Sequence, residues 1–156
     1  MTGLEGKTAI VTGASRGIGR AIAMDLASRK VNVAFTYLNA EAQASSLSKE
    51  LNAMGVMVYG AKVDVRKTQE TEKFVKDVKS KFSTIDFLVN NAGIVKDKSL
   101  MMMTDDEWKD VLETNLYGVF HMTRLLIVSF LKQKFGSVVS VSSTAGLIGN
   151  AGQTNY

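Results

Sequence analysis

Three short stretches hold the groups that could do chemistry. The first, Thr12-Gly13-Ala14-Ser15-Arg16-Gly17-Ile18-Gly19, spaces its glycines as G-x3-G-x-G. Glycine lets a backbone turn tightly and approach a ligand, while the free amides and positive dipole of a following helix stabilise an anion. Binding of a diphosphate is the chemistry on offer. The pattern differs from G-x-G-x-x-G and from the Walker loop, which requires Gly-Lys-Ser/Thr, so an ATPase is not supported. The other two stretches, Asn90-Asn91-Ala92-Gly93 and Ser142-Ser143, supply amides and hydroxyls but name no reaction by themselves.

The elements that must position these stretches alternate along the chain. Thr8–Thr12 reads as a buried strand, and 17–28 as a helix with Ile18, Ile22 and Leu26 at spacing four. Further strands are expected at 31–36, 57–63, 85–89 and 137–141. Helices are expected at 40–54, closed by Gly55, and at 68–82. A long helix from the Thr104-Asp105-Asp106-Glu107 capping box to Lys134 precedes the last strand. Apolar strands separated by helices require a parallel sheet covered on both faces. The fold class is therefore α/β, a doubly wound parallel sheet in the order 3-2-1-4-5, with ligand expected at the carboxyl ends of strands 1 and 4. Neighbouring strands lie ~4.8 Å apart, so the ends of strands 1, 4 and 5 would line one crevice.

Asn115 falls on the apolar stripe of Trp108, Val111, Leu112 and Val119 in the long helix. A buried amide needs partners, and the simplest reading is a satisfied asparagine that pins backbone.

Composition sets outer limits. The 156 residues include 19 Lys+Arg and 15 Asp+Glu, 46% are hydrophobic, and there is no cysteine. This is the composition of an ordinary globular domain, long enough to bury a core as a single unit. Thiolate catalysis and cysteine-ligated zinc are excluded. The net charge of +4 is spread along the chain, so a solvated surface is expected and nucleic acid is not. His121, the only histidine, has no ligand-spaced companion, so no metal is expected. The start lacks the pattern of a signal peptide, and the longest apolar window, 119–131, is interrupted by His121, Thr123, Arg124 and Ser129. A cytoplasmic protein with no membrane association is expected.

Thr12-Gly13 through Gly19, Asn90-Asn91-Ala92-Gly93, Asn115, Ser143 and Tyr156, in this order, resemble the short-chain dehydrogenase/reductase pattern. Within that family, Asn91-Ala92-Gly93-Ile94, Lys96-Asp97, Leu100-Met101, Glu113-Thr114-Asn115-Leu116 and 149–156 are similar to the reductases of 3-oxoacyl thioesters carried on acyl carrier protein in fatty-acid synthesis. The resemblance implies hydride delivery from a nicotinamide cofactor to a ketone, with Tyr156 donating the proton to its oxygen and Ser143 hydrogen-bonding that oxygen. It implies that Gly13, Ser15, Arg16, Gly17, Ile18 and Gly19 bind cofactor, that Asp64 and Val65 border the adenine, and that Asn91, Ala92 and Gly93 border the ribose and nicotinamide. It also implies a homo-tetramer formed in part through the long helix.

Cofactor choice rests on the end of strand 2. NAD enzymes of this fold place an acid there, whereas a cation accommodates the extra phosphate of NADP. Here the strand ends Phe35-Thr36-Tyr37-Leu38, with no acid, and Arg16 lies in the glycine bend. NADP(H) is expected, with Tyr37 and Leu38 beside it.

A phenol titrates near pH 10, so a tyrosine acid works near neutrality only when a neighbouring cation lowers that value. The resembled family supplies a lysine four residues after the tyrosine, and this sequence stops at Tyr156. In the family Asn115 helps hold a proton-relay water beside that lysine. Residues 1–156 are thus expected to be one truncated dinucleotide-binding domain, lacking the C-terminal strands and inactive or nearly so by itself. Two alternatives stay open, a family member acting on a different ketone or alcohol and a catalytically silent NADP-binding protein. Lys132 and Lys134, placed near the active edge, are read either as a dock for acyl carrier protein or as cations at a helix C-terminus.

Overall fold

In the computed structural model, which describes residues 3–156, five strands form one parallel sheet in the order β3-β2-β1-β4-β5. The elements are β1 (Thr8–Val11), α1 (Gly17–Ser28), β2 (Asn32–Tyr37), α2 (Glu41–Ala53), β3 (Val58–Lys62), α3 (Thr68–Lys81), β4 (Phe87–Asn90), α4 (Asp105–Leu112), α5 (Gly118–Gln133), β5 (Ser137–Ser140) and α6 (Ala145–Ile148). A 3-10 turn at Leu100–Met102 lies before α4. The expected fold class and strand order are both observed.

Alternating strand residues feed two cores. Ile10, Ala34 and Leu88 face α3 and α5, where Phe74, Val78, Met122 and Leu126 close over them. Val11, Val33, Phe35 and Val89 face α1 and α2, against Ala23, Ala27, Leu47 and Leu51. Both faces of β1 are dry, which explains why its sequence is apolar without alternation. The sheet's far edge differs. All of β5 is exposed, and α5 presents Phe120, Ile127, Val128 and Leu131 outward. Among the described residues, no helix is long and apolar enough to cross a membrane.

The expected single helix from 104 to 134 is interrupted. A π-turn at Glu113–Tyr117 separates α4 from α5. One extra residue in a turn rotates the helix beyond it, so the stripe proposed for Trp108 to Val119 does not run straight. Val111 is buried while Trp108 is 39% exposed. The capping box at the start of α4 is present, with Thr104 Oγ1 accepting from the Glu107 amide at 3.2 Å and Glu107 Oε2 accepting from the Thr104 amide at 2.9 Å.

Candidate active site

The carboxyl ends of β1, β2 and β4 are stitched together by two threonines. Thr12 Oγ1 accepts from the amides of Asn91 and Ala92, both at 3.0 Å. Asn91 answers by donating its Nδ2 to the carbonyls of Thr12 (2.9 Å) and Gly13 (3.2 Å). On the other side, Thr36 Oγ1 accepts from the Gly13 amide at 3.2 Å. A strand end would otherwise leave these polar groups unpaired, so the hydroxyls fix where the glycine bend begins. Thr12 opens the glycine stretch in the sequence, but neither it nor Thr36 is marked there as a partner of the other strand ends. Their signal is a hydroxyl at the carboxyl end of a buried strand, one residue past β1 for Thr12 and one residue before the end of β2 for Thr36.

Glycine is required in the bend for two different reasons. Gly13 has φ +65°, and a Cβ there would stand 2.9 Å from Ala92 Cα, so the bend passes directly against the turn after β4. Gly19 is buried and does not line the cleft, and a Cβ on it would collide with Asn91 Nδ2 and stand 2.8 Å from Gly13 O. Its absence of side chain brings α1 up to the strand ends.

The start of α1 is left open for a ligand. Arg16, in extended conformation at the N-cap, makes no side-chain hydrogen bond to the first-turn amides, and that turn has no acidic residue. Compare α4, where Thr104 Oγ1 accepts from the Glu107 amide and the first turn holds three acids. A helix start without a side-chain cap, beside a bend whose Gly13 and Gly17 carry no side chain, fits a pyrophosphate.

A cleft of about 810 Å³ runs across these ends, lined by Gly13, Ser15, Arg16, Gly17 and Ile18, by Tyr37 and Leu38 after β2, by Asp64 and Val65 after β3, and by Asn91 to Gly93. A second cleft of about 680 Å³ shares Arg16, Ile18 and residues 91–94 with it and continues to Asn115, Ser143 and Tyr156. The two are one groove. Every sequence-predicted site residue except Gly19 lines it. Thr114, Arg66, Asn39 and Gln43 line it as well, beyond the residues expected.

Asn115 is held by backbone. Its Oδ1 accepts from the Ile94 amide and its Nδ2 donates to the Ile94 carbonyl, each at 2.9 Å. The π-turn carries this side chain to the loop after β4. Asp64 is buried, and Arg66 grips both of its carboxylate oxygens at 2.7 to 3.1 Å. That guanidinium holds the Asp64 carboxyl below the usual carboxylate range. Val65 comes close to the helix layer because Gly118 has no side chain, since a Cβ there would lie 2.8 Å from Val65 Cγ2. His121 Nδ1 donates to the Val65 carbonyl at 3.2 Å.

Ser143 Oγ accepts from the Ala145 amide at 3.1 Å, which leaves its proton free to be donated into the groove. Tyr156 is 40% exposed, on a turn whose Asn155 side chain donates to the carbonyls of Lys96 and Glu107.

Lys132 and Lys134 are not near this edge. They precede Ser137, which pairs with Phe87 at the amino end of β4, so they sit at the opposite end of the sheet from Ser143. A crossover helix returns its C-terminus to the amino edge of the next parallel strand, so nearness in sequence to β5 does not bring them to the groove.

The short chain dehydrogenase family model matches residues 7–156. The chain is 44% identical over 150 residues to the 3-oxoacyl-[acyl-carrier-protein] reductase FabG of Staphylococcus epidermidis, covering 96% of this chain and 62% of that protein. It is 43% identical to the same-named reductases of Staphylococcus aureus (96% of this chain, 61% of the relative) and Salmonella typhimurium (97% and 61%). The chain spans about three fifths of the length of these relatives.

Proposed function

Since this chain belongs to the short-chain dehydrogenase family, we propose that it binds NADP(H) along the groove and serves the reduction of a 3-oxoacyl thioester, carried on acyl carrier protein, to the 3-hydroxyacyl form. One observation carries the reading. The open helix start, the Asn91–Gly93 turn, Ser143 and Tyr156 all face the same continuous groove. Relatives named for this reaction support the substrate class.

When bound, the nicotinamide supplies a hydride to the ketone carbon. The amides of residues 17 and 18 hold the pyrophosphate, and Asp64 and Val65 border the adenine. Arg16, with no acid at the end of β2 to oppose it, receives the phosphate that distinguishes NADP from NAD. Ser143 Oγ donates a hydrogen bond to the substrate oxygen, and the Tyr156 hydroxyl donates its proton to the same oxygen as the alcohol forms. Asn115 fixes the loop that frames the nicotinamide, and we assign the proton-relay water to its neighbourhood. The exposed apolar face of α5 supports a homo-tetramer contact, and the protein works in the cytoplasm.

Paired titrations test the reading. NADPH binds with a lower Kd than NADH, and NADPH is consumed with an acetoacetyl thioester on acyl carrier protein faster than with a simple ketone. Preference for NADH, or for the simple ketone, contradicts it.

A further inference from the structure

Asp110 belongs to none of the motifs, yet its carboxylate joins two loops that leave different strands. Oδ1 accepts from Arg66 Nη1 at 2.7 Å, and Oδ2 accepts from Lys96 Nζ at 2.6 Å. Arg66 follows β3 and turns its remaining nitrogens onto Asp64. Lys96 follows β4, two residues beyond the Ile94 that Asn115 holds. The backbone carbonyl of Asp110 accepts from Thr114 Oγ1 at 2.8 Å, which ties the residue to the π-turn as well. The Lys96 ammonium, with the Arg66 guanidinium, keeps the Asp110 carboxyl below its ordinary range, so it stays ionised through neutrality.

All three side chains are about a third exposed, at 30%, 32% and 39%. Isolated pairs of that exposure contribute little stability. What a bridged network with a forked arginine contributes is geometry, since the planar guanidinium directs Nε and Nη2 to Asp64 and Nη1 to Asp110 at once. We propose that Asp110 is a positioning residue that couples the loop at 64–66, on the adenine side of the groove, to the loop at 94–98, on its nicotinamide side. The proposal rests on the cofactor reading above. Occupancy of the adenine end then steadies a loop that the adenine does not touch.

Amide hydrogen exchange with adenosine 2′,5′-bisphosphate, which has no nicotinamide, tests this directly. In the unaltered protein the ligand slows exchange at 13–19 and 64–66 by contact, and at 94–98 by coupling, about fivefold or more. In Asp110→Asn the contact protection remains and the protection at 94–98 disappears. Lys96→Met, which cuts only one arm, gives the same loss and stands in if the first variant folds poorly. Unchanged protection at 94–98 in both variants overturns the coupling while leaving the cofactor reading intact. No protection at 13–19 or 64–66 in the unaltered protein overturns the cofactor reading, and the coupling with it.

Discussion

Asn115 and Ile94 exchange two hydrogen bonds, amide to Oδ1 and Nδ2 to carbonyl, both at 2.9 Å, so a side chain in a π-turn completes the backbone pairing of a loop 21 residues earlier. The loop after β4 has no strand to pair with there, and the asparagine takes that place. Asn115→Ala leaves the Ile94 amide and carbonyl without protein partners. A loss of about 1–3 kcal/mol in unfolding free energy is expected from urea titration. A loss indistinguishable from zero would mean that water replaces both bonds.

Gly13 and Gly17 separate two kinds of glycine requirement. Both have positive φ, but a Cβ at Gly13 meets Ala92 while a Cβ at Gly17 meets nothing within 4 Å. Gly17→Ala should cost about 1–2 kcal/mol from backbone strain alone. Gly13→Ala should cost more and also weaken NADPH binding, because β1 and the turn after β4 must part. Equal costs in denaturation would show that the close approach to Ala92 is not needed.

Selectivity between cofactors should follow charge at the adenine end. Arg16→Glu removes a cation and adds an anion where we propose that the extra phosphate sits. The Kd for NADPH should rise about tenfold or more, in line with the loss of a charge-assisted hydrogen bond, with little change for NADH. Leu38→Asp supplies the missing acid and should shift preference toward NADH. Fluorescence titration of both cofactors measures the ratio, and parallel changes for the two would remove Arg16 from phosphate recognition.

Glu107 gives the fold an acid-sensitive point. The Thr104 amide, and then the Lys98 ammonium, hold its carboxyl down to about 2, from an ordinary 4.5. A carboxyl lowered on folding contributes stability that is full above the unfolded value and is lost as pH falls through the folded one. The start of α4 should therefore weaken between about pH 4.5 and 2. Glu107→Gln keeps an acceptor for the Thr104 amide but does not titrate. Its stability deficit relative to the unaltered protein should shrink across that window, and a constant deficit would assign the acid sensitivity elsewhere.

The sheet order and the groove's main wall are legible in the sequence because their causes are local. Apolar strands such as Thr8–Val11 must be buried on both faces, and a bend that opens a helix is written in consecutive residues. Nonlocal pairings leave no such trace. Arg66 and Asp110 are 44 residues apart, and neither type nor spacing marks them as partners. The π-turn has no compositional signature, so the run from 104 to 134 reads as one helix with Trp108 and Val119 on one apolar stripe. Gly118 looks like an ordinary helical residue, although its missing side chain seats Val65 against the helix layer at the edge of the groove. Sequence distance puts Lys132 and Lys134 beside the groove, whereas direction along a parallel strand decides which edge a residue reaches.

The most direct measurement is an amide chemical-shift titration of the protein with NADPH. Saturable shifts should concentrate at residues 13–19, at Asp64 and Val65, and at 91–93, the segments that meet at the carboxyl ends of β1, β3 and β4. Saturable binding with those amides unmoved, or shifts confined to the opposite edge of the sheet, would contradict the assignment of this groove to the dinucleotide.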